Sequence, residues 1–330
     1  MGDRDMFSLG SMMGVVVSMS ALAGAVPAAA AENFPAGVIR IVAPAPTSSP
    51  PDIISRVIAQ ELSTSENWRV IVEDKPGVGG IAGGNEVLQQ PADGMTLFAL
   101  ATPDTAAPAL MNMPFRLDAD FVPVVKIAVS CTVLVVNPSV PARSVTEFVA
   151  LLKSHPDEMT FSSGVFGTPS HLLGELFKLE TGVRARHVPY LQLSQAIGDL
   201  LNGTNQYQFI TVMPVIDLVN SGKLRGLAVT CSKRVPALKD VPSIVEEGLP
   251  NLVEEDWIGF AVKRGTPADV VARLNLAINR VLAKPNVRET LSKLGAEPAG
   301  GMPSEFGELV KSQLAYWGKV VKDSGIKMPQ

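Results

Sequence analysis

The chain has 330 residues, of which 46 % are hydrophobic, 5 % aromatic and 18 % charged, and its formal net charge is −4. That length suffices for about two ordinary domains, each with its own core, and the sparse, slightly acidic charge excludes nucleic acid as a partner, since no basic patch is there to neutralise phosphates. Abundant glycine and proline, 28 and 26 residues, point to an α/β protein with many turns.

Residues 1–31 differ in character from the rest. Asp3, Arg4 and Asp5 precede a small-residue apolar run from Met12 to Val26 that ends in Pro27 and four alanines. This is the pattern of a secretory signal peptide with an A-x-A-type cleavage site, and it predicts an exported protein whose mature chain starts near Glu32. An Ala/Met-rich tail on a cytosolic protein is the alternative. The run is too short and too rich in Gly and Ala for a membrane anchor, and no later segment reaches about 18 uninterrupted apolar residues.

From Val38 the hydrophobic pattern alternates between strand and helix. Val38–Val42 reads as a strand, Asp52–Leu62 as a helix with Ile53, Ile54, Val57, Ile58 and Leu62 on one face, and Trp68–Glu73 as a strand again. Thr96–Thr102 is a further strand and Val122–Val136 a long one. Ser144 and Glu147 form a capping box that opens a helix carrying Phe148, Leu151 and Leu152. Strands at 159–163, 185–189, 207–212 and 224–230 then alternate with helices at 169–179 and 194–201. Trp257–Val262 is a strand. Thr266 and Pro267 cap a helix with Val270, Val271, Leu274, Ile278 and Val281 in one stripe, and the last helix carries Phe306, Leu309, Val310, Leu314, Trp317 and Val321. Such alternation predicts parallel sheets with crossover helices. If the strands at 122–136 and 224–230 both cross, the chain is two α/β lobes joined by two hinge strands, with 32–125 plus 228–330 as the first lobe and 126–227 as the second.

Chemistry concentrates at the turn from Ser163 to Ser170. Thr168 at an N-cap and Pro169 at the first helical position aim free backbone N–H groups at one point, a way to hold an anion without a metal or basic cluster. Competing readings are weak. Pro76–Gly84 superficially copies a dinucleotide fingerprint, but its strand ends in Glu73, Asp74 and Lys75, and Leu100 and Ala101 stand where an acidic residue should close a strand; a structural Gly-rich turn is the better reading. Three scattered histidines (His155, His171, His187) and two cysteines show no zinc spacing. No G-x-S-x-G elbow is present, and Ser170 beside His171 has poor geometry for a triad; catalytic and metal residues are therefore assigned to none. Asp52 is explained equally by the dipole of its helix and by a place facing a ligand.

These residues carry a resemblance. Glu73–Gly83, Ser163 with Gly167–Leu172, His187–Tyr190, Gly222–Thr230, Asp240–Gly248 and Trp257–Phe260, in this order and spacing, resemble the tripartite tricarboxylate transporter receptors, the Bug-type periplasmic substrate-binding proteins. The resemblance spans nearly the whole mature chain. It implies a two-lobed, Venus-flytrap receptor in the periplasm, a monomer that is not an enzyme, needs no cofactor, captures a small carboxylate in the cleft and delivers it to membrane permease subunits. The ligand is implied to lie between two strand-to-helix turns, which places Thr47, Ser48, Ser49 and Asp52 on one side and Ser163, Phe166, Gly167, Thr168, Ser170, Tyr190 and Gln192 on the other. This chain has Thr47–Pro51 where such receptors carry a Gly-rich run, Val165 for a Gly, and Leu191-Gln192 for a Lys-Gly. Pro50 and Pro51 offer no N–H. With no Arg or Lys in either turn, a monocarboxylate or a partly apolar acid suits them better than a tricarboxylate, and Phe166 leans the same way. A relative with altered or lost binding, a sensor, or an exported α/β enzyme are the other readings.

Cys131 and Cys231 fall on or just after the two expected hinge strands. An exported protein permits a disulfide, and a pair of buried thiols is the alternative.

Overall fold

The computed structural model describes residues 34–164 and 168–324. The segment read as a signal, 1–31, and the site candidates Phe166 and Gly167 lie outside the described residues. β1 (Val38–Ala43) leads into α1 (Pro50–Ser65), β2 (Arg69–Asp74), α2 (Ile81–Gln89), β3 (Thr96–Ala101), α3 (Thr102–Leu110) and a single turn, α4 (Leu117–Asp120). β4 (Phe121–Val136) follows, then α5 (Val145–Ser154), β5 (Thr160–Ser163), α6 (Pro169–Thr181), β6 (Arg186–Pro189), α7 (Leu193–Leu201), β7 (Tyr207–Thr211), α8 (Ile216–Asn220) and β8 (Arg225–Val229). The chain goes on through β9 (Glu255–Lys263), α9 (Ala268–Leu282), α10 (Pro285–Lys293), β10 (Ala296–Pro298) and α11 (Pro303–Ser324).

One strand organises the rest. The first part of β4, Phe121 to Cys131, pairs antiparallel with β9. Its last part pairs with β7 over Thr132–Val136 and with β8 over Val133–Val136. The resulting 10-stranded sheet runs β2-β1-β3-β9-β4-β7-β5-β6, with β8 and β10 also on β4. Within it β1 is parallel to β2 and β3, and β5 is parallel to β6 and β7, as expected when each strand is followed by a crossover helix. β8 lies wholly against the last part of β4, and the return to β9 is made by residues 230–254.

The cores follow this division of β4. Ile39, Ile54, Leu97, Val125, Phe260, Leu274 and Ile278 share one cluster, while Phe148, Phe161, Phe177, Tyr207 and Phe209 share another. The apolar stripe of α9 is buried throughout, as are Phe306, Val310, Trp317 and Val321 of α11; each such large side chain contributes about 1.5–3 kcal/mol. Ile244 and Leu252 pack with Phe148 and Tyr207, and Val235, Leu238 and Val241 with Val133 and Ile210. Residues 235–252 therefore pack against the part of the chain that the sequence reading ends at 227.

Cys131 and Cys231 are joined in a disulfide, with Cα atoms 5.5 Å apart. Register brings them together. Cys131 is the last β4 residue paired with β9, and beside it Thr132 N–H donates to Thr230 Oγ1 at 3.1 Å. Two helix starts differ from their sequence signals. Ser144 Oγ does accept from Glu147 N–H at 3.1 Å, but the Glu147 carboxylate accepts its hydrogen bond from Arg143 N–H at 2.7 Å, one residue before the cap. Thr266 does not cap α9; its hydroxyl donates to Lys263 O at 2.8 Å, and Pro267 occupies the N-cap.

Candidate ligand-binding site

Four helix starts meet at one cavity of about 420 Å³. Pro44, Ala45, Pro46 and Pro51 line it from the approach to α1, Pro76, Gly77, Gly79 and Gly80 from the approach to α2, and Ala101, Pro103 and Asp104 from the start of α3. Ala107, Leu110 and Met111 continue the α3 wall, while Thr168 at the N-cap of α6 and Leu191 close it from the other side. Each helix start carries the positive end of a dipole, and the free N–H groups come from the first-turn residues that are not proline, so their convergence favours an anion without any basic side chain. A second cavity of about 210 Å³, lined by Lys126, Glu254, Trp257 and Tyr316 among others, meets no helix start.

The Gly-rich turn at 77–80 is a wall of this cavity. Gly79 and Gly80 adopt φ values of 62° and 70°, which only glycine takes without strain, and Gly80 serves as the left-handed N-cap of α2. A Cβ at Gly80 would run into Asp104 Oδ1. Gly80→Ala is therefore expected to lose about 1–2 kcal/mol from the backbone alone and to push α3 off the cavity, read as a lowered urea midpoint.

Most polar groups of the first turn bond to one another. Thr47 Oγ1 donates to Asp74 Oδ2 at 2.6 Å, and the same oxygen accepts from Arg56 Nη2 at 3.3 Å. Arg56 Nε lies 2.6 Å from Asp52 Oδ1, while Asp52 Oδ2 accepts from Ser48 N–H at 2.8 Å. Asp52, only 2 % exposed, thus folds the turn around the left-handed Ser48 (φ 67°) and does not line the cavity. Ser49 is the N-cap of α1 without a side-chain cap bond, and its buried Oγ has no partner. What the turn presents to the cavity is Pro44, Ala45, Pro46 and Pro51.

The second turn is similarly engaged. Ser163 Oγ donates to Gly164 O at 2.7 Å and lies 2.7 Å from His187 Nε2. Tyr190 Oη donates to Asp199 at 2.6 Å and accepts from Asn205 at 2.5 Å, pinning the β6 end to α7. Ser170 Oγ is buried without a partner, and Gln192 is the exposed N-cap of α7. Among the described candidates, Thr168 alone lines the cavity. Missing from the sequence reading was α3, which supplies Pro103, Asp104, Ala107 and Leu110; its only signal was Thr102-Pro103-Asp104, a helix start blurred by Pro108 within the same helix.

His171 and His187 form a stack, with centroids 4.5 Å apart, and His187 lies 4.7 Å from the Phe161 ring. Burial pushes both imidazoles down, His187 to about 3, with the charges of His171 and Lys178 adding to the effect. Together with Glu175 their donor atoms lie within 4.8 Å of one another, a grouping that scattered histidines did not suggest. Lys178 Nζ, however, already stands 2.8 and 3.0 Å from the Glu175 carboxylate oxygens, so the acid is neutralised by an ammonium.

Among the described residues, Asp104 is the one ionisable residue lining the cavity. It is 3 % exposed, its Oδ2 accepts from Ala101 N–H at 2.8 Å, and burial raises its pKa to about 7, with the charge of Asp256 adding to this and the Ala101 N–H opposing it.

The model of the tripartite tricarboxylate transporter family receptor matches residues 54–326. The chain belongs to this family. Another relative of these receptors, the UPF0065 protein of the tcbD-tcbE intergenic region of a Pseudomonas species, is 35 % identical over 292 residues, 88 % of this chain and 87 % of that one. The BugT protein of Bordetella pertussis is 30 % identical over 320 residues, 96 % of this chain and 98 % of its own. Among solved structures, a Rhodopseudomonas palustris protein with adipate shares 31 % identity and a TM-score of 0.83, covering 89 % of this chain and 99 % of that one. The fold is accordingly the two-lobed α/β fold of the family's periplasmic binding proteins, and both family and fold are those of solute-binding proteins. Among the described residues no helix is long and apolar enough to cross a membrane.

Proposed function

We propose that this protein is an exported solute receptor that closes two lobes on a small carboxylate and delivers it to the membrane subunits of a tripartite transporter. The observation that carries this reading is the convergence of the N-termini of α1, α2, α3 and α6 on a single cavity. α1, α2 and α3 belong to the part of the chain before β4 and α6 to the part after it, so an anion at the meeting point touches both. Such a ligand favours the closed arrangement by the contacts that only closure completes. Adipate in the R. palustris relative is an acid of the proposed class. We take the lobes to meet at Cys131 and Glu255, where β4 exchanges partners, and residues 1–31 to be the export signal that delivers the chain to the periplasm, where it works as a monomer.

Native mass spectrometry of gently purified protein is expected to show a co-purified small acid, released unchanged on unfolding. Thr168→Ala is expected to weaken binding of that acid roughly tenfold, the value of one hydrogen bond to a charged group, with an unaltered urea midpoint. Turnover of the acid would point to an enzyme instead. Absence of any bound acid, together with no thermal shift across a panel of acids, would mark a relative that has lost binding.

A further inference from the structure

The cavity has a chemistry of its own. Pro44, Pro51, Ala107, Leu110, Met111 and Leu191 make its walls apolar on both sides, and no Lys, Arg or His lines it among the described residues. The one ionisable group there, Asp104, is an acid. Of the polar groups of the first turn, the Thr47 hydroxyl, the Ser48 backbone N–H and the Asp52 carboxylate are tied to Asp74, Arg56 and each other, and neither they nor Ser49 line the cavity. Each helix start offers an acid only a partial positive charge. A second carboxylate directed at the apolar walls would be taken out of water against hydrocarbon or against Asp104, with no basic side chain among the described lining residues to pair with it.

Leu191 adds a second, independent observation. It is 85 % exposed, the most exposed large hydrophobic side chain among the described residues, yet it lines the mouth of the cavity. Its position follows β6 and the Tyr190 anchor, so the backbone that carries it is held by the bonds of Tyr190 to Asp199 and Asn205. An apolar side chain kept in water at the rim gains by covering an apolar ligand.

From this geometry we infer that the cavity takes a monocarboxylate with a compact apolar body, its acid end at the helix starts and its body against the Pro, Ala, Leu and Met walls, and that Leu191 is the residue selecting for that body. The inference rests on the receptor reading and narrows it to a substrate class.

Isothermal titration of the dialysed protein with butanoate, hexanoate, adipate and malate tests it. Hexanoate and adipate have the same six carbons and differ by one carboxylate. Hexanoate is expected to bind at least tenfold more tightly than adipate or malate, and by about fourfold per added methylene over butanoate. Leu191→Lys, at an exposed position that leaves the fold intact, is expected to lose about tenfold for hexanoate and to gain for adipate, with an unchanged melting temperature. Adipate or malate binding more tightly than hexanoate overturns the substrate class while the receptor reading stands. Equal hexanoate affinity in Leu191→Lys removes the selecting role from that residue. No heat and no thermal shift with any of the four acids counts against the receptor reading and the inference together.

Discussion

The Cys131→Ala/Cys231→Ala variant is expected to unfold at a lower urea concentration than the parent, with a loss of about 3–5 kcal/mol. The bridge closes a loop of 100 residues, long enough that its entropic restraint on the unfolded chain is near the upper end of what a disulfide contributes. It also ties the point where β4 changes partners to the segment that returns to β9, so its loss frees the region between the two cores. Alanine is the better replacement because Cys131 is 5 % exposed, and a serine hydroxyl there would add an unpaired polar group. Reductant acting on the parent should reproduce the shift, and alkylation followed by mass measurement identifies the bonded state. Superimposable urea curves for parent, variant and reduced parent would rule the bridge out as a stabilising element.

Acidity is expected to matter nearly as much. Asp104, Glu254 and Asp256 are 3 %, 5 % and 7 % exposed, and burial raises all three, Asp104 to about 7, Asp256 to about 6 and Glu254 well above the ordinary carboxyl range, where the charge of Asp256 adds to the shift. A carboxyl raised in the fold binds its proton more tightly there than in the unfolded chain, so its stabilising contribution is complete below the ordinary range, near 4, and is lost as pH rises through about 6–7. His187 has the opposite sense: neutral in the fold, with its value lowered from 6.5 to about 3, it costs stability as pH falls through that window. With three raised carboxyls against this histidine, thermal stability should decline from about pH 5 towards pH 8. Asp256→Asn should raise the melting temperature at pH 8, on the order of 5 °C, and leave it unchanged at pH 4. An equal change at both values would show that ionisation of Asp256 is not the cause.

Reading the fold from the chain succeeded where side-chain periodicity is local. The α9 stripe, the alternation of β1, α1 and β2, and the length of β4 are written in consecutive residues. Pairings that join distant residues were harder. Cys131 and Cys231 are neighbours because β8 pairs with the last part of β4, Val133 opposite Val229, a long-range pairing that no local pattern records. Residues 235–252 contain Val235, Leu238, Val241, Ile244 and Leu252 without a helical or strand period, so their allegiance to the cores of Phe148 and Val133 is decided only by packing.

The site was legible in outline and not in its polar detail. Thr168 lines the cavity because a helix N-cap announces itself through Thr-Pro. Thr47 and Asp52 looked like ligand contacts by type, but polar groups bond first to what is nearest: the Thr47 hydroxyl donates to Asp74, brought in by β2, and the Asp52 carboxylate takes Arg56 and the Ser48 backbone N–H. Asp104 was overlooked because its helix contains Pro108 and follows a strand directly, leaving no loop to mark a boundary.

The long strand β4 bears on how the chain comes together. Its later half finds its strand partners β7 and β8 within one unbroken stretch of sequence, and β5 and β6 complete that side of the sheet. The earlier half does not, because β3 and β4 both await β9, which is made only after that whole stretch. Until then β3 has an unpaired edge, and the first core lacks Phe260, Leu274 and Ile278. High sequence separation makes such contacts slow to form. The order of assembly this topology favours therefore departs from the order of synthesis: the middle of the chain is equipped to fold first, and the beginning waits for the end.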